Sequence, residues 1–233
     1  MEACATHGVR VPVPGELVDI EGRPGLVMER LPGDDMLSAI AEKPWTIFSA
    51  GVTTGRIHAA LNAVAAPPDL PSARSKLRDL IGGGHRIPQR LRTAALAELE
   101  RLPDGRALCH GDFHPGNVML AADGSPVIID WPHAAAGSPA ADFARTLVLL
   151  SAGRLPPGTS LLMRLEALVG RKALVHAYHR AYLSHAARPP ENLDRWIFVQ
   201  ATARLEENIQ GERQNLLRMA APHWRRIRAG ART

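Results

Sequence analysis

The chain has 233 residues, of which 45% are apolar and 22% charged, and its formal net charge is +5. This composition is typical of a globular protein, and the length suits one domain or a small lobe joined to a larger one. The apolar runs are shorter than the ~18 residues of a membrane span, and the N-terminus lacks a basic-then-apolar leader pattern. We therefore expect a cytoplasmic protein with no membrane partner, in which Cys4 and Cys109 are free thiols.

The positive charge is concentrated in the last third of the chain. Residues 150–233 contain 14 Arg and Lys against 6 Asp and Glu. A solvated, Arg-rich helical surface would explain this surplus, and so would attraction to anionic partners or substrates. The basic residues are scattered along helical patterns without an aromatic stacking platform, so the pattern does not favour a nucleic-acid partner.

The first 33 residues predict a small β-containing segment. A short helix is expected to end at Gly8. Two strands over 16–20 and 26–31 are predicted around a turn at 21–25, which contains two glycines and a proline. Pro32-Gly33 ends the second strand.

The remaining residues predict a mostly helical body. A helix over 45–65 is expected to place its large apolar side chains on one face; these are Trp45, Phe48, Val52, Ile57, Leu61 and Val64. Segment 72–87 is ambiguous. The later pattern predicts a helix over 88–101, a strand–loop–strand unit over 106–130, helices over 139–151, 160–186 and 191–219, and a short basic tail helix. The predicted fold class is therefore α+β, with a small head at 1–33 and a helical body at 34–233.

The strand–loop–strand unit carries the residues most indicative of chemistry. Asp112 and Asn117 are five positions apart, as in the kinase catalytic loop H-R-D-x-x-x-x-N, and Asp130 follows the next apolar strand, where D-F-G would lie. Asp112 suits the base that accepts the proton of a substrate hydroxyl. Asn117 and Asp130 offer the hard oxygen ligands that Mg²⁺ prefers. The spacing predicts phosphoryl transfer.

Two histidines flank Asp112 with the spacing H-x-x-x-H, which also occurs in zinc sites. Pro115 and Gly116 disfavour the helix that such a site needs, and no Glu follows the first histidine. We expect His110 to brace the loop by hydrogen bonding. His114 is expected either to stabilise the loop or to contact phosphate.

The string from His110 to Asn117, His-Gly-Asp-Phe-His-Pro-Gly-Asn, resembles the signature of the aminoglycoside phosphotransferase family, whose kinase-like enzymes include choline and homoserine kinases. Other pieces resemble the family in the right order over most of residues 1–150. They are Gly8 to Pro14 at the entry to the hinge strands, Leu26 to Gly33 as the hinge strand, Gly55-Arg-Ile-His58, and the segment from Asp130-Trp131 to Asp142.

The resemblance implies a protein-kinase-like fold that binds ATP and Mg²⁺, with Asp112 as catalytic base and Asn117 and Asp130 as metal ligands. It also implies that the backbone near Glu29 and Leu31 contacts adenine. An ordinary strand end without such a contact would have the same sequence pattern. For His58 we favour a packed helix residue over a ligand. For Asp142 we favour a helix-capping or loop-bracing carboxylate over a catalytic one.

The sequence departs from the family's pattern at its beginning. Family members carry a glycine-rich loop and a phosphate-binding Lys before the hinge, whereas the lysines here are Lys43, Lys76 and Lys172, all after it. We therefore expect a truncated small lobe, with residues 1–33 as its remnant, whose exposed strand edge favours self-association. A fragment or mis-started frame of a longer kinase, a natural short form and a form completed by a partner remain open explanations.

Two functions follow from these observations. The first is an ATP- and Mg²⁺-dependent phosphotransferase that acts on a hydroxyl of a small molecule. The second is a non-catalytic kinase-like module that binds nucleotide or a partner, because the glycine-rich loop and the Lys are absent. Since aminoglycosides are polycations and the C-terminal part is basic, a neutral or anionic hydroxylated substrate is at least as well supported as an antibiotic.

Overall fold

The computed structural model describes residues 2–5, 7–153 and 161–230. The predicted α+β class is confirmed: short strands are set among helices, and the helices dominate. The helices are α1 (Glu2–Ala5), α2 (Met36–Glu42), α3 (Ile47–Asn62), α4 (Ala73–Gly83), α5 (Gln89–Arg101), α6 (Pro139–Ala152), α7 (Leu161–His185), α8 (Leu193–Glu207) and α9 (Arg213–Gly230). The strands are β1 (Pro14–Ile20), β2 (Arg23–Met28), β3 (Ala107–Cys109), β4 (Val118–Leu120), β5 (Pro126–Ile128) and β6 (Ala135–Gly137).

Within the described ranges these strands form three two-stranded antiparallel sheets, which pair β1 with β2, β3 with β6 and β4 with β5. The β1–β2 hairpin was predicted, but its five-residue turn was wrong. The turn is Glu21-Gly22, with φ of 53° and 78°, and the Gly22 amide donates to the Asp19 carboxylate at 2.8 Å. Two left-handed residues give the tight turn that matches strand twist, so Arg23 and Pro24 already belong to β2.

The long helix predicted over 45–65 is present as α3, but Trp45, Phe48 and Val52 of the predicted apolar face are exposed. These side chains are 77%, 56% and 38% exposed. The buried face carries glycine instead: a Cβ on Gly51 or Gly55 would lie 2.8 Å or 2.4 Å from backbone oxygens of α7. Close approach of the two helices therefore selects the small-residue face of α3.

The helix predicted over 191–219 is two helices, and this prediction was also wrong. Asn208 ends α8 with a φ of 54°, and Gly211 follows with a φ of 83°. A left-handed Asn is a common helix C-cap, and it turns the chain before α9 begins. The ambiguous segment 72–87 contains α4, which Ser72 caps by accepting a hydrogen bond from the Ser75 amide.

The buried core has two main parts, and Phe113 of the loop between β3 and β4 belongs to the second. One part packs helices α4, α5, α6, α8 and α9 around Trp196 and Phe198. The other packs the N-terminal segment, α2 and α3 against the short strands around Phe113 and Ile128. Cys4 and Cys109 are buried free thiols, as expected.

Candidate active site

The segment between β3 and β4 forms a tight loop because of its glycine. Gly111 has a φ of +80°, and a Cβ there would lie 2.7 Å from the carbonyl oxygen of His133. Left-handed conformation and lack of space both require glycine at this position. The loop continues into a 3₁₀ turn at Pro115–Asn117 and then into β4. Asp112 is therefore presented by a loop whose backbone path is closely fixed.

The three residues predicted for phosphoryl transfer lie together. The Asn117 side-chain amide donates to the backbone carbonyl of Asp112 at 2.8 Å. The backbone amide of Ile129 donates to the carbonyl of Asn117 at 3.0 Å, and Ile129 directly precedes Asp130. Asn117 thus connects the loop of Asp112 to the end of β5, where Asp130 follows.

Asn117 and Asp130 have the right chemistry for a magnesium ion. The Asn117 amide nitrogen is engaged by Asp112, which leaves its side-chain oxygen for a ligand. Asp130 is exposed and has a φ of 63°, a left-handed conformation that costs a non-glycine residue about 1–2 kcal/mol. Mg²⁺ takes few oxygen ligands from protein, so two such residues fit it. In the described part of the chain, no group of three or more His, Cys, Asp and Glu side chains is arranged to hold a metal ion.

His110 braces the loop by hydrogen bonding, as predicted. Its Nδ1 accepts the Asp112 amide at 3.3 Å, and its Nε2 donates to the carbonyl of Ile129 at 2.9 Å. Burial lowers the pKa of His110, which keeps the ring neutral and suits one donating and one accepting nitrogen. His110 therefore fixes the distance between Asp112 and the strand that leads to Asp130.

His114 stabilises the same loop from the other side. Its Nδ1 accepts the Gly116 amide at 3.1 Å, which caps the 3₁₀ turn. Its Nε2 lies 3.8 Å from a carboxylate oxygen of Asp112. Burial lowers the pKa of His114, and the carboxylate of Asp112 offsets this only in part. The ring is positioned beside the predicted base.

Asp142, at the start of α6, is buried and holds the loop in place. Its carboxylate accepts the backbone amides of His110 and Gly111 at 2.8 and 2.9 Å. It also accepts His58 Nε2 at 2.9 Å and Asn62 Nδ2 at 3.1 Å. Burial alone would raise the pKa of Asp142, but the facing His58 and these hydrogen bonds lower the pKa well below its usual range. The expectation of a loop-bracing carboxylate is confirmed.

The network continues into α7 through two tyrosines. His58 Nδ1 shares a hydrogen bond of 2.7 Å with the Tyr178 hydroxyl. The Tyr182 hydroxyl donates to the Asn62 side-chain oxygen at 2.8 Å, and Asn62 also donates to the carbonyl of Leu108 on β3. Burial raises the pKa of both tyrosines, so their hydroxyls keep their protons. His58 is therefore a packed, hydrogen-bonded helix residue.

Arg145 joins the catalytic loop to α8. Its Nε donates to the carbonyl of Gly111 at 3.1 Å, and its Nη2 lies 3.6 Å from a carboxylate oxygen of Asp112. Its Nη1 donates to Glu207 at 2.6 Å. Arg145 is 9% exposed, so these contacts are made in a poorly solvated environment. One guanidinium thus contacts both the loop backbone and the predicted base.

Glu207 is held between two arginines. Its other carboxylate oxygen accepts Arg204 Nη1 at 2.8 Å. Arg204 also donates to both oxygens of buried Glu212, at 2.6 and 3.0 Å. Both oxygens of Glu207 are therefore occupied by guanidinium groups of the protein itself.

The backbone expected to contact adenine lies at the end of β2. The Glu29 amide donates to the carbonyl of Val13 at 2.9 Å, and Val13 donates back to the Glu29 carboxylate at 3.1 Å. This leaves the Glu29 carbonyl as the group that an adenine amino group would meet. Contact of Glu29 and Leu31 with nucleotide stays a prediction.

Asn62, Arg145, Tyr178 and Tyr182 were missed by sequence reasoning, and each left a weak signal. Arg145 lies one helical turn after Asp142. His58 and Asn62 are four residues apart on α3, as are Tyr178 and Tyr182 on α7. Polar pairs at that spacing on otherwise apolar helices share one face, so both pairs could have been identified as one buried polar patch.

The braced loop, the adjoining Asp112, Asn117 and Asp130 and the helical body are similar to the phosphotransfer site of kinase-like enzymes. The model of the phosphotransferase enzyme family matches residues 1–193, and the chain belongs to that family. No curated protein matches the sequence.

Solved structures share the fold at low sequence identity. An aminoglycoside-3'-phosphotransferase of type VIII is 21% identical with a TM-score of 0.58, over 88% of this chain and 78% of that chain. A glucosamine kinase is 20% identical with a TM-score of 0.58, over 95% of this chain and 68% of that one. The choline kinase of Streptococcus pneumoniae is 17% identical with a TM-score of 0.60, over 95% and 78%. These likenesses support the protein-kinase-like fold.

No helix among the described residues is both long enough and apolar enough to cross a membrane.

Proposed function

We propose that this member of the phosphotransferase family uses ATP and Mg²⁺ to phosphorylate a hydroxyl group of a small molecule, with Asp112 as the base. The observation that carries the proposal is the arrangement of Asp112, Asn117 and Asp130. Hydrogen bonds through Asn117 connect the loop of the base to the strand end that bears the second carboxylate. Asp112 also lies in the wall of a large cavity that can admit an acceptor.

The reaction assigns a task to each residue. The acceptor oxygen forms a bond to the γ-phosphorus, the bond to the β–γ bridging oxygen breaks, and ADP leaves with that electron pair. Asp112 accepts the hydroxyl proton, while Arg145 and His110 keep its loop in position. Asn117 and Asp130 would hold Mg²⁺, which neutralises phosphate charge when bound. Phosphoryl transfer depends mainly on such positioning and charge.

The first experiment measures nucleotide binding by calorimetry. We expect weak ATP binding that requires Mg²⁺ in the wild-type chain, and loss of that requirement together with most of the affinity in Asp130→Ala. Asp123→Ala removes an exposed carboxylate from the neighbouring turn and is the matched control. Equal ATP binding with and without Mg²⁺ would remove Asn117 and Asp130 as metal ligands.

The second experiment separates catalysis from binding. Formation of ADP in the presence of candidate hydroxyl acceptors should disappear in Asp112→Ala, while Mg²⁺-dependent ATP binding persists. Undiminished turnover in that variant would exclude Asp112 as the base. ATP binding without any transfer in the wild-type chain would favour the alternative of a non-catalytic nucleotide-binding module.

A further inference from the structure

A cavity of about 1690 Å³ lies beside Asp112, between the catalytic loop and helices α2, α4, α6, α7 and α8. Among the described residues, its wall includes Asp112 and His114 but not Asn117, Asp130, Glu29 or Leu31. The cavity therefore meets the predicted base on a surface separate from the predicted nucleotide and metal contacts. If the proposed function holds, this is where the acceptor binds, and its wall indicates the acceptor's chemistry.

The acids in the described part of this wall have little capacity to bind a cation. They are Asp112, Asp142 and Glu207. Asp142 is saturated by hydrogen bonds from the loop and α3, and both oxygens of Glu207 are occupied by arginines. Asp112 alone remains, and it has to face the hydroxyl. A polycationic acceptor would find no free carboxylate among these residues for its other charges.

The positively charged side chains of the wall differ in their partners. Arg145 and Arg204 are paired with carboxylates, and Arg171, on α7, donates to the backbone carbonyl of Gly153. Lys76, on α4, contacts only carbonyl groups: its Nζ lies 3.3 Å from the carbonyl oxygen of His133 and 3.1 Å from that of Ala134. No carboxylate of the described ranges lies within ion-pair distance of it. An ammonium group has three donors, so one is left for a ligand.

The position of Lys76 places this charge near the reacting groups. The carbonyl of His133 packs directly against Gly111, the residue before Asp112. Apolar side chains also line the cavity: Leu77 and Leu80 extend the wall along α4, and Leu37 and Ile40 contribute from α2. A cation at the apolar α4 side of the wall suits a molecule with one anionic group and an apolar body.

We propose that the acceptor is a hydroxylated carboxylic acid with an apolar body, whose carboxylate binds Lys76 and whose hydroxyl meets Asp112. The aliphatic part lies along Leu77, Leu80 and the neighbouring apolar wall. The assignment of the hydroxyl as phosphate acceptor rests on the proposed function, but the binding of the acid does not depend on phosphoryl transfer. Lys76 is accordingly the residue that determines specificity for charge.

The test uses three probes that share a hydroxyl and an eight-carbon body and differ in the other end: ω-hydroxyoctanoate, octanediol and ω-aminooctanol. Their dissociation constants are measured by calorimetry without nucleotide. We expect the acid to bind roughly fivefold more tightly than the diol, and the amine most weakly, because one partly exposed charge contact contributes about that factor. In Lys76→Met the acid should lose this advantage while the diol is unchanged.

Two further variants locate the effect. Lys172→Met removes an exposed lysine of α7 outside the cavity wall and should leave all three constants unchanged. Leu80→Gln makes the apolar wall polar and should weaken all three probes alike. The proposal is overturned if none of the probes binds, if the amine binds best, or if Lys76→Met keeps the preference for the acid. Because nucleotide is absent, failure here is distinct from failure of Mg²⁺-dependent ATP binding, which tests the proposed function.

Discussion

The catalytic loop and the β1–β2 hairpin invert the usual relation between polarity and burial. The loop is held by polar groups that are almost entirely inside the protein: the side chains of His58 and Asp142 are 0% and 1% exposed. The hairpin carries apolar side chains that are almost entirely outside, with Leu17 79% and Ile20 61% exposed. A buried polar network is costly unless every member is paired, whereas an exposed apolar side chain contributes little to folding.

This difference indicates what the loss of a side chain would do in each region. Removal of one atom group from the loop's network leaves several buried donors unpaired. Removal of an apolar side chain from the hairpin leaves the hairpin's backbone hydrogen bonds unchanged. Substitutions in the loop should therefore lower the free energy of unfolding, whereas substitutions in the hairpin should change self-association.

Asp142→Ala should give the largest effect. The substitution leaves the amides of His110 and Gly111, and the side chains of His58 and Asn62, without their shared acceptor. Loss of a buried, paired carboxylate costs about 3–5 kcal/mol in the free energy of unfolding. Urea denaturation followed by circular dichroism measures it. Asp69→Ala, which removes an exposed carboxylate, is the control, and equal stability of the two variants would contradict a bracing role.

The same carboxylate predicts a pH dependence. Because the folded pKa of Asp142 lies below its unfolded value of about 3.9, the carboxylate stabilises the fold fully above that pH. Its contribution falls as the pH drops below about 4 toward the folded pKa. The stability difference between the wild type and Asp142→Asn should therefore be constant near neutral pH and shrink in acid. A difference that grows on acidification would show that another group is responsible.

Gly111→Ala should have an intermediate effect. The new Cβ meets the carbonyl oxygen of His133 in a left-handed backbone, which together cost about 2 kcal/mol in the free energy of unfolding. Gly82→Ala is the matched control, because a Cβ at that helical position meets no atom within 4 Å. It should leave stability unchanged or raise it by up to about 1 kcal/mol. Similar unfolding curves for the two variants would mean that the loop is not held as described.

Leu17→Lys and Ile20→Lys should have the smallest effect on stability, within about 0.5 kcal/mol, because both side chains are exposed. We expect them to reduce self-association through the hairpin edge, since an edge lysine opposes strand pairing between chains. Sedimentation velocity over a range of concentrations measures this. Glu16→Lys adds positive charge to the same strand without removing an apolar side chain. A wild-type chain that is monomeric throughout would refute the expectation.

Sequence reasoning could predict which candidate residues lie close together where the signal was local. Asp112, Asn117 and Asp130 are separated by short stretches, and the turn and two strands between them leave few ways to fold. The three residues therefore could be brought together from spacing alone. The loop-bracing roles of His110 and Asp142 followed from the same short segment and its resemblance to a known family.

The parts that could not be predicted depend on distant contacts. The pairing of Glu207 with Arg145 joins residues 62 positions apart. The buried face of α3 could not be predicted because hydrophobicity favours Trp45 and Phe48, whereas α7 can approach only where Gly51 and Gly55 leave space. Hydrophobic periodicity identifies the apolar side chains of a helix, but not which neighbouring helix or strand will pack against them.

The left-handed backbone of Asp130 has a consequence for how such a chain would change over time. Glycine at that position would remove the conformational cost, and the exposed carboxylate forms no ion pair within the described residues that the fold would miss. A population of variants chosen only for staying folded would thus drift from aspartate toward glycine at residue 130. Folding and the proposed binding of a metal ion impose opposite demands on this one position, so its identity would distinguish the two.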